Sequence, residues 1–214
     1  MWVHEIWRYP VKSMAGESLQ AADITQTGIF GDRIIQIRDA AGGIITARKH
    51  PLLLRHRATF TPDQQILVDG RPWQSAQVAR DVEVAAGGGA RLVHSQPEGR
   101  FDILPLLIAT DGMIQAVGHD RRRFRPNIVI GGVAGLSERR WEGSRLRIGH
   151  VHIAMEDLRT RCIMTTFDPD TGEQDLGILR LVQKKFNSRL GLNSDVLSPG
   201  RIAVGDAVEI VRRV

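Results

Sequence analysis

Through about residue 95 the apolar positions come in short runs, broken at regular intervals by turn residues, a pattern that predicts short β-strands. Ile34-Ile35-Gln36-Ile37-Arg38 and Ile44-Ile45-Thr46-Ala47-Arg48 flank Asp39-Ala40-Ala41-Gly42-Gly43. This arrangement predicts a hairpin, because β-branched residues suit a pleated surface and glycine suits the turn. Residues 52–60 and 66–69 predict another, turning through Thr61-Pro62-Asp63. Pro10 stops the first strand. Gly87-Gly88-Gly89, ahead of a short strand from Arg91 to His94, marks the best internal boundary and divides the chain into domains 1–95 and 96–214.

The second half mixes periods. Thr110 predicts the cap of a short helix running through Val117. Ile178, Leu181, Val182, Phe186 and Leu190 recur at helical spacing before Gly191, a C-terminal stop. Strands are expected at 127–130, 145–148, 150–156, 161–167, 201–204 and 207–211, the last two joined as a hairpin by Gly205-Asp206. The fold class is therefore mostly β (α+β): barrel-like β-sheets that abolish exposed edges, with two or three helices in the C-terminal half.

Composition narrows the chemistry. With 42% hydrophobic residues, the 214-residue chain can bury a proper core. The single cysteine excludes an internal disulfide and any cysteine-rich zinc or iron–sulfur site. No apolar stretch reaches the ~18 residues of a membrane span. Glu5 and Arg8 stand where a signal peptide would be apolar, so the expectation is a soluble cytoplasmic protein. A formal charge of +5, carried almost wholly by arginine, suits an anionic partner, either nucleic acid or a small phosphorylated ligand.

Cys162 sits between Arg161 and Ile163, with Arg159 nearby. Guanidinium neighbours favour the thiolate, which is both the nucleophile and the soft-metal ligand, although a free cysteine is most often a small buried hydrophobe. In a strand over 161–167, Thr160, Cys162, Met164 and Thr166 would share a face. Asp168-Pro169-Asp170-Thr171-Gly172 then makes a turn, which is preferred to a calcium loop because further oxygen ligands are missing. Lys12 and Ser13 on the corner after Pro10, and Arg33 at the mouth of the first hairpin, can hold a phosphate or can be ordinary surface residues. Arg121-Arg122-Arg123-Phe124-Arg125 suggests a nucleic-acid contact, but no named nucleic-acid motif accompanies it. His150 and His152 are two apart without a convincing third metal ligand.

The blocks Tyr9-Pro10-Val11-Lys12-Ser13, Gly31-Asp32-Arg33, Thr46-Ala47-Arg48, Phe124-Arg125-Pro126-Asn127-Ile128-Val129-Ile130, Arg161-Cys162, Asp168-Pro169-Asp170-Thr171-Gly172 and Gly200-Arg201-Ile202-Ala203-Val204-Gly205-Asp206 occur in that order. The chain thereby resembles the MOSC superfamily, named for the C-terminal domain of molybdenum cofactor sulfurase, together with its N-terminal β-barrel domain. The branch it looks most like is the mitochondrial amidoxime reducing component and its bacterial relatives. The resemblance implies a molybdenum cofactor (Mo-molybdopterin) whose metal is bound by Cys162. Lys12, Ser13 and Arg33 would hold its phosphate, Arg125 and Asn127 would contact the pterin, and Thr160 would be the small hydroxyl residue beside the ligand.

The implied reaction is two-electron reduction of small N-hydroxylated or N-oxide substrates. Cys162 would be catalytic as the metal ligand, and Asp168 would be a proton relay or only a turn residue. Electrons would come from a separate flavin, haem or iron–sulfur reductase, and pyridoxal phosphate binding is a further descriptor the resemblance suggests. Two features depart from the family: only residues 73–89 stand where relatives have a longer helical segment, and Asp102-Ile103-Leu104 replaces hydroxyl residues before Pro105. The alternatives are a sulfur or cofactor carrier using Cys162, and a basic nucleic-acid-binding module.

Overall fold

The structure is a computed structural model that describes residues 1–96 and 99–212. Its largest sheet has eight strands, in the order Val208–Val211, Arg145–Ile148, Val151–Thr160, Arg189–Ser198, Leu106–Thr110, Ile128–Gly131, Trp2–Arg8 and Glu17–Leu19. Trp2–Arg8 pairs antiparallel with Ile128–Gly131, setting Val3 opposite Ile130 and Ile6 opposite Ile128. The first strands of the chain thus complete a sheet supplied mainly by the second half. Ala21–Thr25 likewise pairs with Gly200–Ala203.

Alternation explains the burial. Along Val151–Thr160 the residues Val151, Ile153 and Met155 are buried while His152 and Ala154 are only partly so, as a strand with one covered face requires. These side chains join Ile6, Ile108, Ile128 and Leu192 in one core. A second core gathers Val11, Met14, Ile35, Ile37, Leu53, Val68, Val78 and Val82, and takes in Phe167 from far along the chain. Ile163 and Met164 pack against it. The segment that follows Cys162 is therefore fastened to a core built by the first ninety or so residues, and this fastening positions the site.

The fold is mostly β, with three α-helices at Ala76–Ala86, Asp111–Val117 and Leu176–Phe186. Among the described residues no sheet closes into a barrel. The hairpin of Ile35–Arg38 with Ile44–Ile45 is present, and Thr110 caps its helix by accepting from the Met113 amide at 3.1 Å.

Several expectations are corrected. Besides the two helices of the C-terminal half, a further helix lies in the N-terminal half and ends on Gly87 at φ +103°. Pro51–Arg55 is a 3-10 turn ahead of the strand Ala58–Phe60. The last helix stops at the left-handed Asn187, and Leu190 and Gly191 belong to the following strand. Gly200–Ala203 and Val208–Val211 do not pair with each other but join different sheets.

The most consequential correction concerns 161–167, where Ile163–Thr166 is a 3-10 turn. The Thr165 and Thr166 hydroxyls donate back to the carbonyls of Cys162 (2.9 Å) and Ile163 (2.6 Å). Such local bonds compete with a strand ladder. The strand alternation expected for Thr160, Cys162, Met164 and Thr166 therefore fails.

Candidate functional site

A cavity of about 350 Å³ collects residues that are widely separated in sequence: Lys12, Ser13, Arg33, Arg125, Asn127, Thr160 and Cys162 all line it. Three of these, Ser13 (φ +74°), Arg33 (φ +51°) and Arg125 (φ +53°), hold left-handed backbone conformations. Non-glycine residues pay about 1 kcal/mol or more for that geometry, and such strain gathers where a site demands it. Here it falls at three corners, far apart in sequence, that line one space. Arg33 is held there by its amide donating to the Tyr9 carbonyl (2.8 Å), and Arg125 by its amide donating to that of Arg122 (3.2 Å).

Cys162 caps the 3-10 turn, and its carbonyl accepts from the Thr165 amide (3.1 Å) and hydroxyl (2.9 Å). This fixes the backbone of Cys162, which lines the cavity together with Arg159 and Arg161. Burial pushes the Arg161 guanidinium down to about 10, with nearby Arg159 adding to the effect and Cys162 opposing it. Arg125 is pushed to about 10 by burial foremost. Each keeps one buried nitrogen without a hydrogen-bond partner, Nη2 of Arg125 and Nε of Arg161. Buried donors left unpaired are costly, and here they lie at a cavity a ligand can enter. Arg125 is otherwise anchored by donating to the Met14 carbonyl (2.7 Å) and stacking 4.2 Å over the Tyr9 ring.

The cationic end of the cavity is organised by a residue that sequence reasoning assigned no role. The carboxylate of Asp102 pairs with Lys12 (3.0 Å), Arg48 (2.8 Å) and Arg159 (3.3 Å). Burial alone would raise its pKa, but Lys12, then Arg48 and Arg159, outweigh that and hold it below the usual carboxylate range. The Lys12 ammonium also donates to the Gly99 carbonyl (2.7 Å). Three cations converging on one carboxylate constitute an anion seat, here filled by the protein's own side chain. The contacts span 54 residues or more of sequence, so no local motif announces them.

Arg33 and Asn127 are already engaged. Arg33 pairs with the fully buried Asp32, which also accepts from the Tyr9 amide (2.7 Å) and from Asn127 Nδ2 (3.2 Å). Asn127 Oδ1 accepts from the Leu107 amide at 3.2 Å. Asn127 thus works chiefly as a brace between strands that aims Arg33. Ser13 Oγ accepts from the Ala47 amide (3.1 Å), and Thr160 is exposed at the end of its strand.

Asp168 is not among the residues lining this cavity. One of its oxygens accepts from the amides of Asp170 and Thr171 (3.0 Å each), and the other from Arg123 (2.6 Å). These backbone hydrogen bonds, ahead of Arg123, hold its carboxyl below the usual range. It is a turn aspartate.

The basic cluster is consumed internally: Arg121 pairs with Glu5, Arg122 with Asp120 and Asp170, and Arg123 with Asp168. Phe124 is 1% exposed and cannot stack on a base. His150 lies in a turn and His152 in the next strand, and no group of metal-binding side chains is found among the described residues.

The cavity is thus cationic and carries the single cysteine at its wall. Residues 1–100 match the family model of the MOSC N-terminal beta barrel domain and residues 110–209 that of the MOSC domain, and the chain belongs to this family. The family is associated with molybdenum cofactor binding.

Among curated proteins, the chain is 25% identical to mitochondrial amidoxime-reducing component 1 of Homo sapiens, over 98% of this chain and 82% of that one. It is 27% identical to mitochondrial amidoxime reducing component 2 of Macaca fascicularis, over 96% and 82%. The YUAD protein from Bacillus subtilis, a solved structure, superposes with a TM-score of 0.50 at 14% identity, over the whole of both chains, and shares the fold. Nothing in these likenesses supports pyridoxal phosphate.

Proposed function

We propose that the cavity holds a pyranopterin molybdenum cofactor through Cys162, and that the protein is a molybdenum-dependent oxidoreductase acting on N-hydroxylated or N-oxide compounds. The observation that carries the reading is the meeting of Cys162, Lys12, Ser13, Arg33, Arg125, Asn127 and Thr160 around one space. The donor set fits the group. A thiolate suits molybdenum, and guanidinium and ammonium groups suit a phosphate. The unpartnered nitrogens of Arg125 and Arg161 offer donors to its polar edges.

When bound, the cofactor supplies a two-electron redox centre, while the protein binds and orients it. Lys12, Arg48 and Arg159, which converge on Asp102, would offer their charges to the group's phosphate. Asn127 and Asp32 keep Arg33 aimed. Electrons come from a separate electron-transfer protein carrying flavin, haem or an iron–sulfur cluster, since one cysteine cannot hold a cluster.

The test is turnover. Cofactor-loaded protein is supplied with dithionite-reduced methyl viologen and benzamidoxime, and formation of benzamidine is followed. The reaction takes two electrons and two protons and releases water. Turnover that disappears in Cys162→Ser is expected. A second reading, that the protein carries the cofactor or its sulfur without turnover, draws on Ile103 and Leu104, which line the cavity where the resemblance implies hydroxyl residues. Loaded protein that fails to reduce any N-hydroxylated probe overturns the first reading in favour of the second.

A further inference from the structure

A second cavity, of about 430 Å³, lies on the other side of Arg123, Arg125 and Met164, which line both spaces. Its remaining wall brings Arg55, Arg57 and Arg122 together with Trp7, Tyr9, Leu54 and Phe167. Its volume is in the range of small-molecule sites, and its combination of apolar rings with a few convergent charges is how such sites are built.

The arginines are not equivalent. Arg122 is neutralised by Asp120 and by Asp170, which also lines the cavity, and Arg123 by Asp168. Arg125 is tied to the Met14 carbonyl but retains its unpartnered Nη2. Among the described residues, the Arg55 and Arg57 side chains make no ion pair or hydrogen bond. Both are exposed. Arg55 is nonetheless positioned: its Cδ lies 3.3 Å from where a Cβ would stand on Gly172, so its stem packs on the turn that carries Asp170.

Five arginines line the cavity, and the three carboxylates that pair with two of them, Asp120, Asp168 and the lining Asp170, leave a balance of two positive charges beside an aromatic wall. Gly16 permits the wall's close packing, since a Cβ there would meet the Arg8 carbonyl oxygen at 2.2 Å and the Tyr9 ring at 2.5 Å.

We propose that this second cavity is a binding site for a small aromatic carboxylate, whose ring lies against Trp7, Tyr9 and Phe167 and whose carboxylate is taken by Arg55 and Arg57. A guanidinium fork matches a carboxylate in plane and spacing, and the bond is charge-assisted. The site does not depend on what occupies the first cavity. The shared wall places the ligand next to the segment bearing Cys162, so a loaded first cavity and a bound carboxylate are neighbours.

Isothermal titration with benzoate and with its neutral isostere benzamide tests the proposal. Benzoate is expected to bind at least about tenfold more tightly than benzamide, the difference a charge-assisted contact makes. The double variant Arg55→Ala, Arg57→Ala, altered only at exposed side chains, removes that preference and leaves the affinity for benzamide unchanged. Cys162→Ser binds benzoate as wild type does, so the proposal can stand or fall apart from the cofactor reading. Lys12→Ala also leaves benzoate binding intact. Equal affinity for the two probes, or a preference that survives the double variant, overturns the proposal. So does loss of benzoate binding in Lys12→Ala, which would locate the carboxylate in the first cavity.

Discussion

Asp102 gives the sharpest handle on the anion seat. Asp102→Ala removes the carboxylate shared by Lys12, Arg48 and Arg159 at 3.0, 2.8 and 3.3 Å. Gross attraction at such distances is several kcal/mol per pair, but desolvation of the charges cancels most of it. The Asp102 side chain is 32% exposed and that of Arg48 47%. With that screening the net loss of stability is about 1–2 kcal/mol.

The same change should help an external anion. If phosphate competes for these three donors, the energy no longer spent on Asp102 goes to the ligand, tightening phosphate binding about 10–100-fold. Stability lost in the variant then returns with added phosphate, by about 2.7 kcal/mol at a hundred times its Kd. The sign with pH also follows. The Asp102 pKa is depressed in the folded protein, so its contribution is present above the unfolded value near 3.9 and is lost as pH falls through the folded value. The stability gap between wild type and variant therefore closes in acid. Urea unfolding followed by tryptophan fluorescence, at fixed ionic strength with graded phosphate, measures all three effects. Equal or weaker phosphate affinity in Asp102→Ala refutes the reasoning.

Two other groups yield direct predictions. Glu138 is 1% exposed, burial raises its pKa, and its Oε1 has no partner while Oε2 accepts from Thr110 at 3.2 Å. A raised folded pKa means that stability is lost as pH rises through it, so Glu138→Gln should stabilise the protein by about 1 kcal/mol at pH 7. The gain should vanish in acid, where the native carboxyl is protonated, and denaturant midpoints at the two pH values check it. Tyr9 is the sole tyrosine, and burial pushes its hydroxyl up to about 12, against the opposing effect of Arg125 and Arg33. Ultraviolet absorbance at 295 nm should show no phenolate near pH 10 while the protein stays folded, and a midpoint at 10 contradicts the buried placement.

The parts of the fold that sequence made legible are those fixed by neighbouring residues. The Ile35–Arg38 hairpin and the Thr110 cap depend on β-branched runs, a turn and one hydroxyl. The ten-residue strand Arg189–Ser198 was missed because Asn193, Ser194 and Asp195 break its apolar pattern, although Asn193 and Ser194 are buried and Asn193 is bonded to Asp157 and Arg159. Cys162 does line the cavity, but the strand expected around it is undone by two threonine hydroxyls bonding back on the chain. The site residues known only by block resemblance do converge, Asp168 excepted. Asp102 stood out only as part of a departure from the family; its pairing was not legible, because its partners lie at positions 12, 48 and 159 and meet only once the sheets assemble.

The central claim is that Cys162 anchors a molybdenum cofactor in the first cavity. Molybdenum and phosphorus contents of wild type and Cys162→Ser, purified side by side from a host that makes the cofactor, test it most directly. The account predicts near-stoichiometric metal in the wild type and its loss in the variant. Wild-type protein without molybdenum, from a host whose other molybdoenzymes are loaded, contradicts it.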